Sequence, residues 1–270
     1  MSRFIVFANG TEQCGKTTTA VNVAYGLAAR GRKVLLIDLD PLARASISLG
    51  RKPSIGCRIL QLLSDETSFQ KAIVRTRVSG LFLIPASAEL RAFEHVFSDE
   101  SLLAETLDGK AAGFDYVILN PPSAAGLLMR SVLTAANEVF IPVRAQSGTM
   151  EGLAEMMRLI YTVNASYNPG LRLGAIIPTF TDGTEEGARE LAKIFGEDKI
   201  FPGIRLDRSL ADATRHCRSV FEYFPQTPGA LDYLALSERI DTGLVGYTRY
   251  ETIPERLEPA WSAKAQLLSA

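Results

Sequence analysis

The stretch that most constrains this chain runs from residue 3 to residue 31. Residues 3–8, RFIVFA, are a continuous apolar run of strand length, and residues 9–15, NGTEQCG, are rich in turn formers. Residues 16–30, KTTTAVNVAYGLAAR, carry Ala20, Val23, Ala24 and Leu27 at helical spacing. Gly31 follows as a stop signal, with Arg30 in the last turn. Between the expected strand and helix, Gly10-Thr11-Glu12-Gln13-Cys14-Gly15-Lys16-Thr17 satisfies G-x-x-x-x-G-K-[ST] in the context that motif requires. The two glycines let successive backbone N–H groups turn inward on phosphates. The helix start adds partial positive charge. Lys16 brings a full charge to the β and γ phosphates, and the Thr17 hydroxyl is placed to ligate Mg²⁺.

The rest of the chain repeats the alternation. Apolar runs recur at 33–39, 81–84, 116–119, 139–143 and 173–177, and helical patterns lie at 87–97, 124–136, 150–163 and 185–195. Continuous apolar strands alternating with helices imply a mostly parallel sheet covered on both faces. Right-handed crossovers make it a doubly wound α/β fold. No linker marks a boundary before about 243, so residues 1–243 are expected to form one domain. Residues 244–270, with Pro254 and Pro259, read as an irregular or helical tail.

Composition narrows the function. Apolar residues make up 47% of the 270, enough to exclude bulk disorder. Thirty acids against twenty-nine bases give −1, so only a local basic patch could hold nucleic acid. Cys14, Cys57 and Cys217 have no metal-motif spacing and are odd in number, which fits a reducing cytoplasm. The N-terminal apolar run is too short for a signal peptide, and no run reaches the ~18 residues of a membrane span. His95 and His216 have no partner pattern and read as structural or surface residues. Met150, Met156 and Met157 read as helix packing.

Two further strand ends bear on the phosphate loop. The second strand ends in Asp38-Leu39-Asp40-Pro41. Ligands bind at the carboxyl ends of such strands, and a period of two puts both carboxylates on one side, available to a metal shell and an attacking water. The other reading is that they cap the next helix, with Pro41 at its first position. The third strand, in FDYVILNPPS (114–123), ends in Asn120, which can hydrogen-bond a metal-bound water but brings no charge. Cys14 has two readings: a thiolate favoured by inward N–H groups, or a small residue filling a slot. Between 199 and 218, Lys199, Arg205, Arg208, Arg215 and Arg218 oppose Asp207 and Asp212 and leave +3. On one helix Arg208, Arg215 and Arg218 would share a face. That face is either a nucleic-acid contact or simply solvated.

The ordered set ANGTEQCGKTTTAVNVAYGLAARGRKVLLIDLDP (8–41), LIPASAEL (83–90), FDYVILNPPS (114–123), VFIPV (139–143) with MEGL (150–153), and SLADATRHCRSVFEYFPQTPGALDYLALSERI (209–240) resembles the ParA/MinD group of deviant Walker ATPases, most of all the ParA partition ATPases. The resemblance spans about 3–240. It implies a P-loop ATPase with ATP and Mg²⁺ as cofactors. It also implies an ATP-dependent homodimer that binds DNA without sequence preference, and an adaptor protein that stimulates hydrolysis and moves or spaces a cargo. The expected place is the cytoplasm, on the nucleoid, with no membrane partner.

Carried over, Lys16 and Asp40 become the catalytic pair, Asp40 orienting the attacking water. Thr17 and Asp38 hold the metal. Gly10, Thr11, Glu12, Gln13, Cys14, Gly15, Lys16, Thr17 and Thr18 surround the phosphates, with Pro142 and Pro178 beside the adenine. Arg205, Arg208, Arg215 and Arg218 contact DNA.

The sequence also departs from the pattern. The family's signature lysine position holds Thr11, the two glycines after it are Glu12 and Gln13, an Asp is replaced by Asn120, and Pro178 stands where the family usually has Asn. Either another cation substitutes, with Arg44, Arg130 and Arg144 as candidates, or hydrolysis is slow. Some relatives that position carboxysomes are similar in lacking this lysine. Three other readings stay open. One is a membrane-associated protein resembling MinD, for which 255–270 is poorly basic. Another is a reductase resembling nitrogenase iron protein. The third is a nucleotide-gated scaffold with little hydrolysis.

Overall fold

The computed structural model describes residues 2–51, 56, 58–144, 149–182 and 186–243. Among them eight strands form one sheet: β1 (Arg3–Phe7), β2 (Val34–Asp38), β3 (Val74–Arg75), β4 (Leu81–Ile84), β5 (Tyr116–Asn120), β6 (Glu138–Arg144), β7 (Arg172–Thr181) and β8 (Ile204–Arg205). Their order is β3-β4-β2-β5-β1-β6-β7-β8, parallel throughout except for β3 against β4. The helices are α1 (Lys16–Ala29), α2 (Arg44–Ser48), α3 (Arg58–Leu63), α4 (Phe69–Ala72), α5 (Phe93–Val96), α6 (Leu102–Leu107), α7 (Leu127–Ala135), α8 (Thr149–Ser166), α9 (Glu186–Phe195), α10 (Arg208–Arg215), α11 (Val220–Tyr223) and α12 (Pro228–Thr242).

Alternation along each strand explains why both faces need cover. Ile5 and Phe7 of β1, Val34 and Leu36 of β2, and Ile118 of β5 point into one core, under α1 and α10 to α12. Val6, Leu35, Ile37, Val117 and Leu119 point into the other, under α3 to α8. Met156 and Met157 are buried in that second core. Helix α1 crosses α12 closely, because Gly26 presents no side chain: a Cβ there would stand 2.2 Å from Ser237 Oγ. Thr19 and the Tyr233 hydroxyl, 3.1 Å apart, hold the start of the same pair. At its far end Asp241 gathers Arg30 and Arg32 at 3.0 and 2.7 Å.

The expected α/β architecture is the observed one, with corrections in detail. β7 is twice as long as the apolar run implied and carries Pro178 in its interior. The pattern at 87–97 divides into a 3₁₀ turn, Ala88–Ala92, and α5. β3 and β8 have two residues each and no readable period. α12 ends against Gly243 at φ 71°, and residues 244–270 with the tail reading lie outside the described residues.

Candidate functional site: a phosphate loop at the switch point of the sheet

β1 lies between β5 and β6, where the chain reverses its direction of travel across the sheet, and its carboxyl end opens into the phosphate loop. This is where an open parallel sheet forms a ligand crevice. Gly15 caps α1 at φ 88°, a left-handed conformation that suits glycine, and Gln13 adopts φ 56° beside it. The first intrahelical bond is from Thr19 N to Gly15 O, so the amides of Lys16, Thr17 and Thr18 have no partner within the helix. Two side chains, Asn9 just past β1 and Thr179 of β7, brace the loop against backbone carbonyls. Asn9 Nδ2 donates to the Pro142 carbonyl at 2.7 Å while its Oδ1 accepts the Thr11 amide at 2.8 Å. Thr179 Oγ1 bridges the carbonyls of Cys14 and Val143 at 2.9 and 3.0 Å. From the other core face, α8 presses Gly152 on Thr11, so closely that a Cβ would stand 2.4 Å from Thr11 Oγ1.

Lys16 is 7% exposed. Its ammonium donates to the Thr11 carbonyl at 2.9 Å and Ser123 Oγ at 2.7 Å, and lies 3.8 Å from Cys14 Sγ. Burial pulls its pKa down, with Cys14, Asp40 and Glu12 opposing. Burial raises the Cys14 thiol against the pull of Lys16, and the residue is 1% exposed, as befits a group that fills space. Thr11, Glu12 and Gln13 are exposed, and Thr17 and Thr18 are half-buried.

Asp38 ends β2 and is fully buried. One carboxylate oxygen accepts Ser46 N and Oγ at 2.8 and 2.7 Å, and the other accepts Asn120 Nδ2 at 2.9 Å. Burial raises its pKa to about 6, and the Ser46 and Asn120 hydrogen bonds hold it from rising further. Asn120 Oδ1 is buried with no hydrogen-bond partner among the described residues. Asp40 lies past the strand, half-buried, its Oδ1 accepting Leu42 N at 2.9 Å. The period of two therefore stops at Asp38. The capping reading holds in part: Asp38 accepts the Ser46 amide in the first turn of α2, but α2 starts at Arg44 after Ala43, and Pro41 sits in the preceding turn.

The expected peripheral residues are placed as follows. Pro142 and Pro178 are buried inside β6 and β7, one residue out of register; the Pro142 carbonyl accepts Asn9 Nδ2, and on β7 it is Thr179 that hydrogen-bonds the loop. Arg130 is paired with Glu100 at 3.2 Å. Arg144 lies over the Phe180 ring at 5.0 Å, and Arg44 begins α2. The basic segment changes most. Lys199 is buried against Asp198, Arg205 is gripped by Asp232, and Arg215 pairs with Asp212 at 2.8 Å. Arg208 and Arg215, two turns apart on α10, lie on one face of that helix, and Arg218 lies beyond it after Cys217 at φ 55°, so it does not continue that face. His216 stacks on Tyr223 at 4.5 Å. Asn9, Ser46, Ser123, Thr179 and Gly152 were not singled out by sequence reasoning. Only their places beside strand ends and in the MEGL stretch could have flagged them.

A buried lysine inside a glycine-capped loop, at the switch point of a parallel sheet and beside acidic strand ends, defines a phosphate-loop ATPase. The sequence profile of a family described as an AAA domain matches residues 2–173. The chromosome-partitioning ATPase Soj of Treponema pallidum is 33% identical over 254 residues, covering 89% of this chain and 97% of Soj. Soj of Thermus thermophilus is 34% identical over 243 residues, covering 88% and 95%. Among solved structures, cobyrinic acid a,c-diamide synthase from Mycobacterium smegmatis, with bound ADP and magnesium, superposes with a TM-score of 0.76 at 26% identity, covering 90% and 97%. Apo McdA from Cyanothece shares the fold with a TM-score of 0.79 at 22% identity, covering 91% and 100%. The chain belongs to the ParA/MinD family and is a partition or positioning ATPase of that type. Among the described residues no helix is long and apolar enough to cross a membrane.

Proposed function

We propose that this ATPase closes into a homodimer on ATP, holds DNA without sequence preference in that state, and lets go when an adaptor protein linked to a cargo stimulates hydrolysis. The observation that carries this reading is the Lys16 ammonium, buried on two neutral oxygens with no carboxylate in hydrogen-bond contact among the described residues. A buried cation is strongly favoured by an anionic partner, and a phosphate fits the donor set of ammonium, loop amides and helix start. Thr17 and Asp38 are the residues that would hold Mg²⁺, which when bound neutralises charge on the phosphates. Asp40, half-buried and electrostatically felt by Lys16, orients the attacking water through its carboxylate. Leu42, 46% exposed in the turn after Asp40, supports contact with a second copy at this edge. Cytoplasmic placement on the nucleoid follows from the DNA-bound state, and relatives named for chromosome partitioning support it.

Sedimentation with ATP and with ADP tests the gating. Asp40→Ala is expected to persist as a dimer with ATP, since binding survives while water positioning is lost. A monomer at saturating ATP overturns the proposal. A second reading, a nucleotide-gated scaffold with little hydrolysis, is favoured by the uncharged Thr11 and Asn120. Turnover below detection with DNA and adaptor both present would select it. The segment that bears on a MinD-like membrane reading, 255–270, lies outside the described residues, as does Cys57.

A further inference from the structure

Charge on this surface is concentrated where no single segment of sequence reveals it. Arg77 lies in the turn after β3, and its guanidinium is clamped by residues far away in the chain. Its Nε donates to Glu222 Oε1 at 2.6 Å, and its Nη2 donates to the Cys217 carbonyl. Its Nη1 lies 2.8 Å from where a Cβ of Gly50 would stand. Arg51 follows Gly50 and donates to the carbonyl of Arg75, and Arg218 follows Cys217. These contacts gather Arg51, Arg75, Arg77 and Arg218 from three stretches of chain onto one exposed surface. Glu222 is the carboxylate tied into the cluster, so four guanidiniums against one carboxylate leave +3. On α10, by contrast, Arg215 is offset by Asp212, and Arg205 at the sheet edge is offset by Asp232.

We propose that the cluster Arg51, Arg75, Arg77 and Arg218 is the principal DNA-contacting surface of this protein, binding the sugar–phosphate backbone without reading bases. The proposal rests on the DNA-binding reading above and replaces its residue assignment. A guanidinium fork matches phosphate oxygens in a bidentate way, and backbone phosphates need charge spread over a surface rather than one deep pocket. Arg77 is the positioning member, because its three contacts fix the spacing of the others. Arg75 and Arg218 are the free members: among the described residues their side chains make no hydrogen bond or ion pair.

The test is fluorescence anisotropy of a random duplex with the full chain, ATP and Mg²⁺, at low and physiological salt. Arg75→Glu with Arg218→Glu is expected to weaken binding at least about tenfold. It should also lower the salt slope by about 1.8, two contacts at roughly 0.9 each. Arg208→Glu, outside the cluster, is expected to change affinity less than about threefold. ATP affinity by calorimetry reports whether the variants are folded, and Arg75→Gln with Arg218→Gln should give the same direction with a smaller loss. A parent that binds DNA and a double variant that binds it equally well overturn the cluster while leaving DNA binding in place. A parent that does not bind DNA with ATP overturns the DNA reading and the cluster together. Binding to vesicles containing phosphatidylglycerol but not to duplex, lost in the same variant, assigns the surface to lipid and also overturns the proposal.

Discussion

Lys16→Met separates a lysine that serves phosphate from one that serves the fold. Methionine keeps most of the stem and removes the charge. In the nucleotide-free protein the change removes two charge-assisted hydrogen bonds, to Thr11 O and Ser123 Oγ, each worth about 1.5–3 kcal/mol. It also removes the cost of burying a cation that is only 7% exposed, which is itself several kcal/mol. The two nearly cancel, so stability should move by no more than about 1 kcal/mol, or roughly 2–4 °C in a domain of this size. With nucleotide nothing cancels. One lost ammonium–phosphate contact of about 1.5–3 kcal/mol raises the Kd for ATP roughly 10- to 150-fold. At an ATP concentration one hundred times the parent Kd, the parent gains about 2.7 kcal/mol from ligand. A variant weakened about a hundredfold gains only about 0.4 kcal/mol under the same conditions. Thermal melts with and without ATP therefore differ by roughly 5–10 °C in the parent and by about 1 °C in the variant. A variant whose free form melts far lower, but whose ATP shift is intact, would refute this reasoning and make Lys16 a structural residue.

Three other outcomes follow from the geometry. Burial raises Asp38 to about 6, above its unfolded value, so its stabilising effect is complete below about pH 4 and is lost as pH rises through 6, a swing of about 3 kcal/mol. Asp38→Asn without nucleotide should therefore gain on the parent in melting temperature between pH 4.5 and 7.5, and a constant gap would contradict it. Gly152→Ala places a methyl against Thr11 Oγ1, and calorimetry should find ATP affinity reduced several-fold with Tm lowered by only a few degrees. Asp241→Ala loses the Arg30 and Arg32 contacts and the Tyr116 hydroxyl at 3.1 Å, and urea unfolding should detect a loss of about 1–2 kcal/mol, the arginines being partly exposed.

The sequence made the middle of the fold legible and its polar wiring invisible. Strands β1, β2, β5 and β6 are continuous apolar runs because helices cover both faces, and α1 keeps a helical period because one side is core. β3 and β8 are two-residue edge strands, too short for any period to register. The phosphate loop was readable because its residues are adjacent in sequence. Its braces were not: Thr179 reaches Cys14 across 165 residues, and Asn9 reaches Pro142 across 133. The local charge count missed its long-range partners for the same reason. The carboxylate that offsets Arg205 is Asp232, outside the window counted, and the arginines that reinforce Arg218 come from residues 51 to 77.

Two of the departures from the family pattern replace side chains of opposite charge. Thr11 stands where a lysine is expected, and Asn120 where an aspartate is expected. Asn120 Nδ2 lies 2.9 Å from Asp38 Oδ1, and both residues are fully buried. Two carboxylates at that separation would have to share a proton, whereas the amide donates to Asp38 and adds no charge. The amide at Asn120 therefore changes the local charge little and does not offset the missing lysine, and Glu12, where the family has a glycine, adds a negative charge that Lys16 feels. Transition-state stabilisation depends further on where donors point. Loss of one aimed donor typically costs about 10²–10³ in rate. Under the proposed cycle, adaptor-stimulated turnover is expected to be low unless a cation in trans replaces the missing lysine, and an ATPase assay with DNA and adaptor present measures it.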